Sequence, residues 1–424
     1  MRIMIVGSGG REHALAWKIR ESKKVDKLFA IPGNGGISEI AECLDAVDDP
    51  VSIADVAVSN KIDFTIVGPE APLVAGIADT FQDRGLPIFG PIRSAARMEG
   101  SKAFAKKMMI KNHIPTGNAN LFSDYKSARD FIDSSTFPIV IKADGLASGK
   151  GVIIAYNLDE AVKAITSCLV DLKFEEAGAT VLIEEFLVGE EVSLLAFCDG
   201  DRALPLVPAQ DYKRIYDDDL GPNTGGMGSY SPIPSVTKDV YEEIVSTVLT
   251  PTMEGLKGEG IEYRGMLYAG VILTDNGPKV LEFNARFGDP ETQAILPRLE
   301  SDLLEIMIAS SEGDLSNSTL KWSNKKCVSV VLASEGYPEN PITKREIFGI
   351  SQAAKVEGVQ IFHAGTKKID GKTITTGGRV LNVSALGDTY KQARERAYQA
   401  CELIKFEGKQ LRADIAKRAE EVMA

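Results

Sequence analysis

The chain has 424 residues but little of what builds disulfide or metal frameworks: five cysteines and three histidines. Cys43, Cys168, Cys198, Cys327 and Cys401 are scattered and form no CxxC pair. That argues against a zinc site or a disulfide scaffold, and each cysteine reads as a small apolar filler in a reducing compartment. His13, His113 and His363 lie far apart, with no HxxxH pattern. No apolar run reaches the ~18 residues that a membrane span needs. The opening MRIMIVGSGG runs straight into a strand, so no signal peptide is expected and a cytoplasmic protein is. Positive charge is also scarce: 48 Lys and Arg stand against 60 Asp and Glu, a net charge of −12, with no long basic run. A nucleic-acid partner is therefore not expected. What remains is the profile of a soluble globular chain, 44% hydrophobic and 25% charged. Its length predicts about two to four domains.

Against that background one stretch stands out, Leu281 to Gln293, reading LEFNARFGDPETQ. Glu282 and Asn284 follow the apolar Val280–Leu281 at strand spacing, so a carboxylate and an amide oxygen share one face. Such hard oxygen donors suit Mg²⁺ or Mn²⁺ held together with substrate phosphates. Arg286 is next on that face and suits an anion; Asp289 adds a second acid in the following turn. Taken alone, the pattern also fits a polar strand end and a turn.

In chain order, Arg2–Val6 reads as a strand, Gly7-Ser8-Gly9-Gly10 as a turn, and Arg11 onward as a helix. This unit aims backbone N–H groups at an anion. The dinucleotide fingerprint asks for a third glycine where Glu12 stands, so a phosphate or phospho-sugar cradle is expected instead. Strands over Leu28–Ile31, Asp63–Val67 and Pro87–Phe89, with a helix running from the Gly68–Pro72 turn through Phe81, predict a doubly wound parallel sheet. Gly9, Asn34 and Glu70 then leave strand ends on the ligand-binding edge. Ser101 reads as the N-cap of a helix that carries Lys102 in its first turn.

Strand 137–142 ends in Lys142 and leads into the glycine-rich loop ADGLASGKG, then strand Val152–Ala155. No helix follows Lys150, so this is not a P-loop; it is a hairpin whose amides can close over phosphates. Strand Thr180–Glu185 runs through Phe186 and Leu187 to Glu190–Glu191, a connector suited to a nucleobase edge and ribose hydroxyls. The segment Gln210–Gly228, with Asp211, Lys213, Gly225 and Gly226, reads as a long irregular substrate loop. Strands Met266–Leu273 and Lys279–Phe283 flank an Asp275-Asn276-Gly277 turn. After a polar linker, Asp314–Asn324, a strand-rich module holds Cys327–Ala333, Gln360–His363, an interrupted strand Ile374–Ser384 and a helix Tyr390–Lys405.

The order of Lys102, Lys142 with its glycine loop, the Glu184–Glu191 connector and Glu282/Asn284 resembles the ATP-grasp ligases. The set GSGGREHA, PGNGG, VGPEAPL, KADGLASGKGV, QDYKR, GPNTGGMG and LEFNARFGDPETQ is similar to one family among them, the glycinamide ribonucleotide synthetases. The resemblance implies four regions: a substrate domain 1–101, a core 102–122 with 194–325, a lid 123–193 and a C-terminal module 326–424. It implies a single-function ligase joining glycine to 5-phosphoribosylamine through glycyl phosphate, with ATP and Mg²⁺ or Mn²⁺, as a monomer or small homo-oligomer. Under it, Lys102, Lys142, Gly145, Ser148, Gly149, Gly151, Glu184, Phe186, Leu187 and Glu191 hold ATP. Glu190 is the alternative to Glu191 at the ribose. Glu282 and Asn284 hold metal; Arg286, Asp289 and Asp211 act in catalysis. Gly9, Gly10, Asn34, Glu70, Asp211, Lys213, Gly225 and Gly226 meet the other substrates.

Overall fold

The computed structural model describes residues 1–47, 49–146, 151–171 and 179–422. At the N-terminus, five parallel strands lie in the order Glu42–Cys43, Lys27–Pro32, Arg2–Gly7, Phe64–Val67, Ile88–Phe89. Strand order reverses at Arg2–Gly7, so the loops after it and its two neighbours open one crevice. Those loops carry Gly9, Asn34 and Glu70. The expected single helix to Phe81 is two helices, Glu70–Val74 and Ile77–Asp83. Gly76 separates them at φ 87°, a conformation that only glycine adopts without strain.

The central sheet is antiparallel, in the order Ala203–Pro205, Glu190–Asp199, Arg264–Thr274, Gly277–Asn284. A bulge opposite Gly270 and Val271 leaves Leu281 outside the register. Beyond it alternation holds: Phe283, Ala285 and Phe287 are buried, while Glu282, Asn284 and Arg286 face a part-open side. A four-stranded sheet of Ala119–Phe122, Val181–Glu185, Ile139–Ala143 and Val152–Ala155 forms a separate layer. Helices Tyr125–Asp133 and Leu158–Leu169 back it, and Ile132, Ile141, Ile165 and Ile183 fill its own core.

The C-terminal sheet runs Gln210–Asp211, Gly228–Ser231, Lys326–Ala333, Arg379–Gly387, Val359–His363, and helix Tyr390–Leu403 packs on it. Its first two strands come from the segment read as irregular. Between them, Arg214–Tyr216 and Leu220–Asn223 form a hairpin, so the polar stretch is largely ordered by backbone pairing. The interrupted strand Ile374–Ser384 is two strands, Lys372–Thr375 and Arg379–Gly387, in different sheets. The linker Asp314–Asn324 is docked rather than free: Leu315 is buried and its N–H donates to Asp199.

Candidate active site

Cations of one half of the site come from two directions. Ser101 caps the Lys102–Lys111 helix by accepting the Phe104 N–H, as expected. Lys102 in its first turn donates to the Gly145 carbonyl at 2.8 Å, reaching across to the start of the glycine loop. Burial lowers its pKa, against the pull of Glu282. Lys142 is buried, donates to the Leu281 carbonyl at 2.9 Å and pairs with Glu184 at 2.7 Å. The bulge is what frees the Leu281 carbonyl for this contact. Of the glycine loop, Gly145 and Gly151 are described; Ser148 and Gly149 lie outside the described residues.

Glu184 was expected to line a nucleobase through its side chain. Both its oxygens are instead taken by lysines, Lys142 and the unforeseen Lys106, the latter at 2.9 Å. A carboxylate so engaged has little left for a base edge; Phe186 and Leu187 beside it are half-buried. Glu191 pairs with Lys213, while Glu190 accepts from Gln210 at 3.3 Å.

Glu282 is the electrostatic centre. Burial alone would raise its pKa, yet Lys213, Lys142, Lys102 and Arg286 together hold it below the ordinary carboxylate range. Asn284 lies two residues on, and its side-chain oxygen is 3.4 Å from Arg286. Arg286 bridges Glu70 at 3.2 Å and Glu99 at 2.9 Å. Glu99 is deeply buried, also accepts the Ala285 N–H at 2.7 Å, and burial pushes its pKa up. Glu70 goes down despite burial, because Arg286 and Arg11 face it. Asp211 goes up, driven by burial and by Glu291, Glu191 and Glu282, against Lys213. One carboxylate–amide pair ringed by cations, with further acids at the rim, fits a divalent ion carrying a polyanion.

The crevice around Gly9 and Asn34 differs from expectation. Glu12 explains why the first turn is no open anion cradle: its carboxylate accepts the Gly9 N–H and lies where a Cβ on Gly7 or Gly68 would go. Gly10 is covered by Gln293 and Asn382, which would stand 2.7 and 2.8 Å from a Cβ there. Asn34 spends its whole amide on the protein. It donates to the Ser8 and His363 carbonyls at 2.8 and 2.7 Å and accepts from the Gly36 and Ile37 N–H groups at 2.9 Å. It clamps loops rather than offering a free contact. Asp289 accepts from Gln293 at 2.8 Å and pairs with Arg379 at 3.3 Å; Arg379 also donates to the Gly225 carbonyl at 2.6 Å. Gly226, at φ 108°, presses against Pro290.

Sequence reading missed Lys106, Glu99, Glu291 and Arg379. Lys106 had a signal, one helical turn after Lys102. Glu99 directly precedes Gly100-Ser101-Lys102. Glu291, inside the central stretch, is buried and accepts from Ser193 at 3.0 Å and Tyr268 at 2.9 Å. Arg379 lies 90 residues from Asp289 and had none.

Three family descriptions match: the phosphoribosylglycinamide synthetase N domain over 1–99, ATP-grasp (A) domain over 100–292 and C domain over 327–418. A phosphoribosylamine–glycine ligase from Caldanaerobacter subterraneus subsp. tengcongensis is 50% identical, over 98% of this chain and 99% of the relative. One from Pseudomonas aeruginosa is 47% identical, over 99% and 98%. The crystal structure of the Thermotoga maritima phosphoribosylamine–glycine ligase superposes with a TM-score of 0.85 at 35% identity, over 98% of this chain and 100% of that one. The biotin carboxylase domain of a Hydrogenobacter thermophilus 2-oxoglutarate carboxylase, at 16% identity and TM-score 0.74 over 97% of this chain and 91% of that one, shares the fold. The chain belongs to the phosphoribosylglycinamide synthetase family.

Proposed function

We propose that this protein catalyses the ATP-dependent joining of glycine to 5-phosphoribosylamine, in purine biosynthesis, through glycyl phosphate. The observation that carries the reading is the pair Glu282 and Asn284 on one strand face, with Lys102, Lys142, Lys213 and Arg286 holding Glu282 charged. Mg²⁺ or Mn²⁺ bound by this pair would neutralise triphosphate charge as a Lewis acid. In the first step the bond to the terminal phosphoryl group of ATP breaks, a glycine carboxylate oxygen takes that group, and ADP leaves. In the second, the ribosylamine nitrogen attacks the acyl carbon, orthophosphate leaves, and the nitrogen gives up a proton.

Lys102 and Lys142 meet the phosphates, with Gly145, Ser148, Gly149 and Gly151 closing over them to keep water from the acyl phosphate. Phe186 and Leu187 line the base, and Glu191 faces the ribose beside Lys213. Arg286, fixed by Glu99 and Glu70, steadies charge on the acyl phosphate. Asp211 and Asp289 orient the two amines. Gly9, Glu70, Gly225 and Gly226 border the phosphoribosylamine, while Gly10 and Asn34 shape that border from behind. The four regions 1–101, 102–122 with 194–325, 123–193 and 326–424 are the proposed working units; the first has a sheet of its own, while the sheet of 123–193 also takes in Ala119–Phe122 and that of 326–424 takes in Gln210–Asp211 and Gly228–Ser231. The protein acts in the cytoplasm as a monomer or small homo-oligomer.

Glycine-dependent ADP release with Mg²⁺, with and without phosphoribosylamine generated in situ, tests this. Release that needs both substrates and yields an amide is the expected result. ADP release indifferent to glycine would retain the fold and discard glycine as the phosphoryl acceptor.

A further inference from the structure

The Lys102–Lys111 helix carries a second lysine one turn after Lys102, on the same face. Lys106 is 2% exposed, as deep as an apolar core residue. Lys106 donates to the Thr116 hydroxyl at 2.7 Å and the Gly117 carbonyl at 3.1 Å and pairs with Glu184 at 2.9 Å. Its ammonium is thus enclosed by protein oxygens. Thr116 in turn donates to the Val280 carbonyl at 2.8 Å, and the Val280 N–H donates to the Pro115 carbonyl at 2.7 Å. Lys106 thus stands where the helix, the 115–117 segment and the metal-bearing strand are tied together.

Lys142 differs in one respect. It pairs with Glu184 at 2.7 Å and donates one hydrogen bond, to the Leu281 carbonyl at 2.9 Å. Glu184 and Lys142 lie on the paired strands Val181–Glu185 and Ile139–Ala143, with Glu184 opposite Val140 and so two residues from Lys142 on one face. A lone Lys142–Glu184 pair would be neutral and attract no polyanion. With Lys106 on the other carboxylate oxygen the trio carries one net positive charge, and Lys142 is the member able to deliver it.

We propose that Lys106 is a positioning residue for nucleotide binding: it fixes and neutralises Glu184, which holds Lys142 with its charge directed at the triphosphate. This rests on the reading that Lys142 meets ATP. Lys106 itself touches no substrate.

The test is binding of ATP and of adenosine, with KM and kcat, in the full-length chain. Lys106→Met weakens ATP by about tenfold or more, the scale seen when an outer partner of a binding group is lost. Adenosine binding and KM for glycine stay within about twofold, a split that general loosening of the fold does not produce. The double variant Lys106→Met/Glu184→Gln removes the stranded carboxylate with its partner and restores most of the ATP affinity. It returns the cluster to the parent's single net positive charge, now carried by Lys142 alone, so it stays informative if the single variant folds poorly. A double variant no better than the single one, or equal losses for ATP and adenosine, overturns the proposal. Lys142→Met separates the two readings. If it leaves ATP binding intact, the phosphate assignment of Lys142 fails; if it weakens ATP while Lys106→Met does not, only the role of Lys106 fails.

Discussion

The two halves of the site are built on opposite principles. Around Glu282, cations converge on one carboxylate: Lys102, Lys142, Lys213 and Arg286 together hold it below the ordinary carboxylate range, even though Glu184, Glu191, Glu70 and Glu99 pair with three of them. Around Gly9 and Asn34, polar groups are consumed by the protein itself: Glu12 takes the Gly9 amide, Asn34 spends its whole side chain, and Arg379 engages Asp289. A polyanion with a divalent ion needs positive field gathered at one point, which a protein supplies by aiming several cations at it. A small sugar amine needs loops held at fixed positions, which internal hydrogen bonds supply. The first half should therefore break in chemistry when altered, the second in stability.

The largest effect is expected at Glu282. Glu282→Ala lowers turnover by about a thousandfold or more, on the scale of losing a charge that steadies phosphoryl transfer. Its melting temperature stays close to that of the parent, because the side chain lies among cations rather than in the core. ADP-release kinetics with calorimetry check both. Retained activity would break the contrast at its root.

Next is Arg286→Lys. A lysine cannot hold Glu70 and Glu99 together with the planar fork of arginine. A loss of about a hundredfold in kcat is expected, with smaller change in KM for ATP. If KM for ATP moves more than kcat, Arg286 belongs with the binding lysines.

On the other side, Asn34→Ala should chiefly destabilise, by about 2–4 kcal/mol, since it strands the buried Gly36 and Ile37 N–H groups and the Ser8 and His363 carbonyls. Urea unfolding measures this. A variant of parental stability with a large rise in KM for phosphoribosylamine would reverse its role here, from clamp to contact.

The smallest effect is acid sensitivity at the same junction. His363 donates its backbone N–H to His13 Nδ1 at 2.7 Å, and burial first of all lowers His13 to about 3 and His363 to about 4. The unfolded chain binds these protons near pH 6.5 and the folded chain does not, so stability is full above about 6.5 and falls as pH drops towards 4. The expected slope is about 1.4 kcal/mol per pH unit for each histidine. His363→Gln should remove about half of it in unfolding midpoints compared between pH 7 and pH 5.

These outcomes bear on how much was legible in the chain itself. The parallel N-terminal sheet, the hairpin around Asp275–Gly277 and the Ser101 cap follow from local rules: strand–glycine–helix order, turn residues and capping chemistry. So does the shared face of Glu282, Asn284 and Arg286, because strand alternation needs no tertiary knowledge. Lys102 and Lys142 were visible as lysines placed at element ends.

Tertiary structure decided the rest. Glu184 became a lysine anchor because the Ile139–Ala143 strand pairs beside it and the Lys102–Lys111 helix packs against them. Arg379 reached Asp289 because it opens the fourth strand of the C-terminal sheet, which also takes up Gly228–Ser231. The ordering of Gln210–Gly228 came from the same non-local pairing. The amino-acid sequence determined which side chains a strand or helix presents together, since that depends on backbone periods of 2 and 3.6. Only the folded chain decided which of those charges are neutralised and which are left for substrate. That depends on partners far away in the sequence, and no local period encodes them.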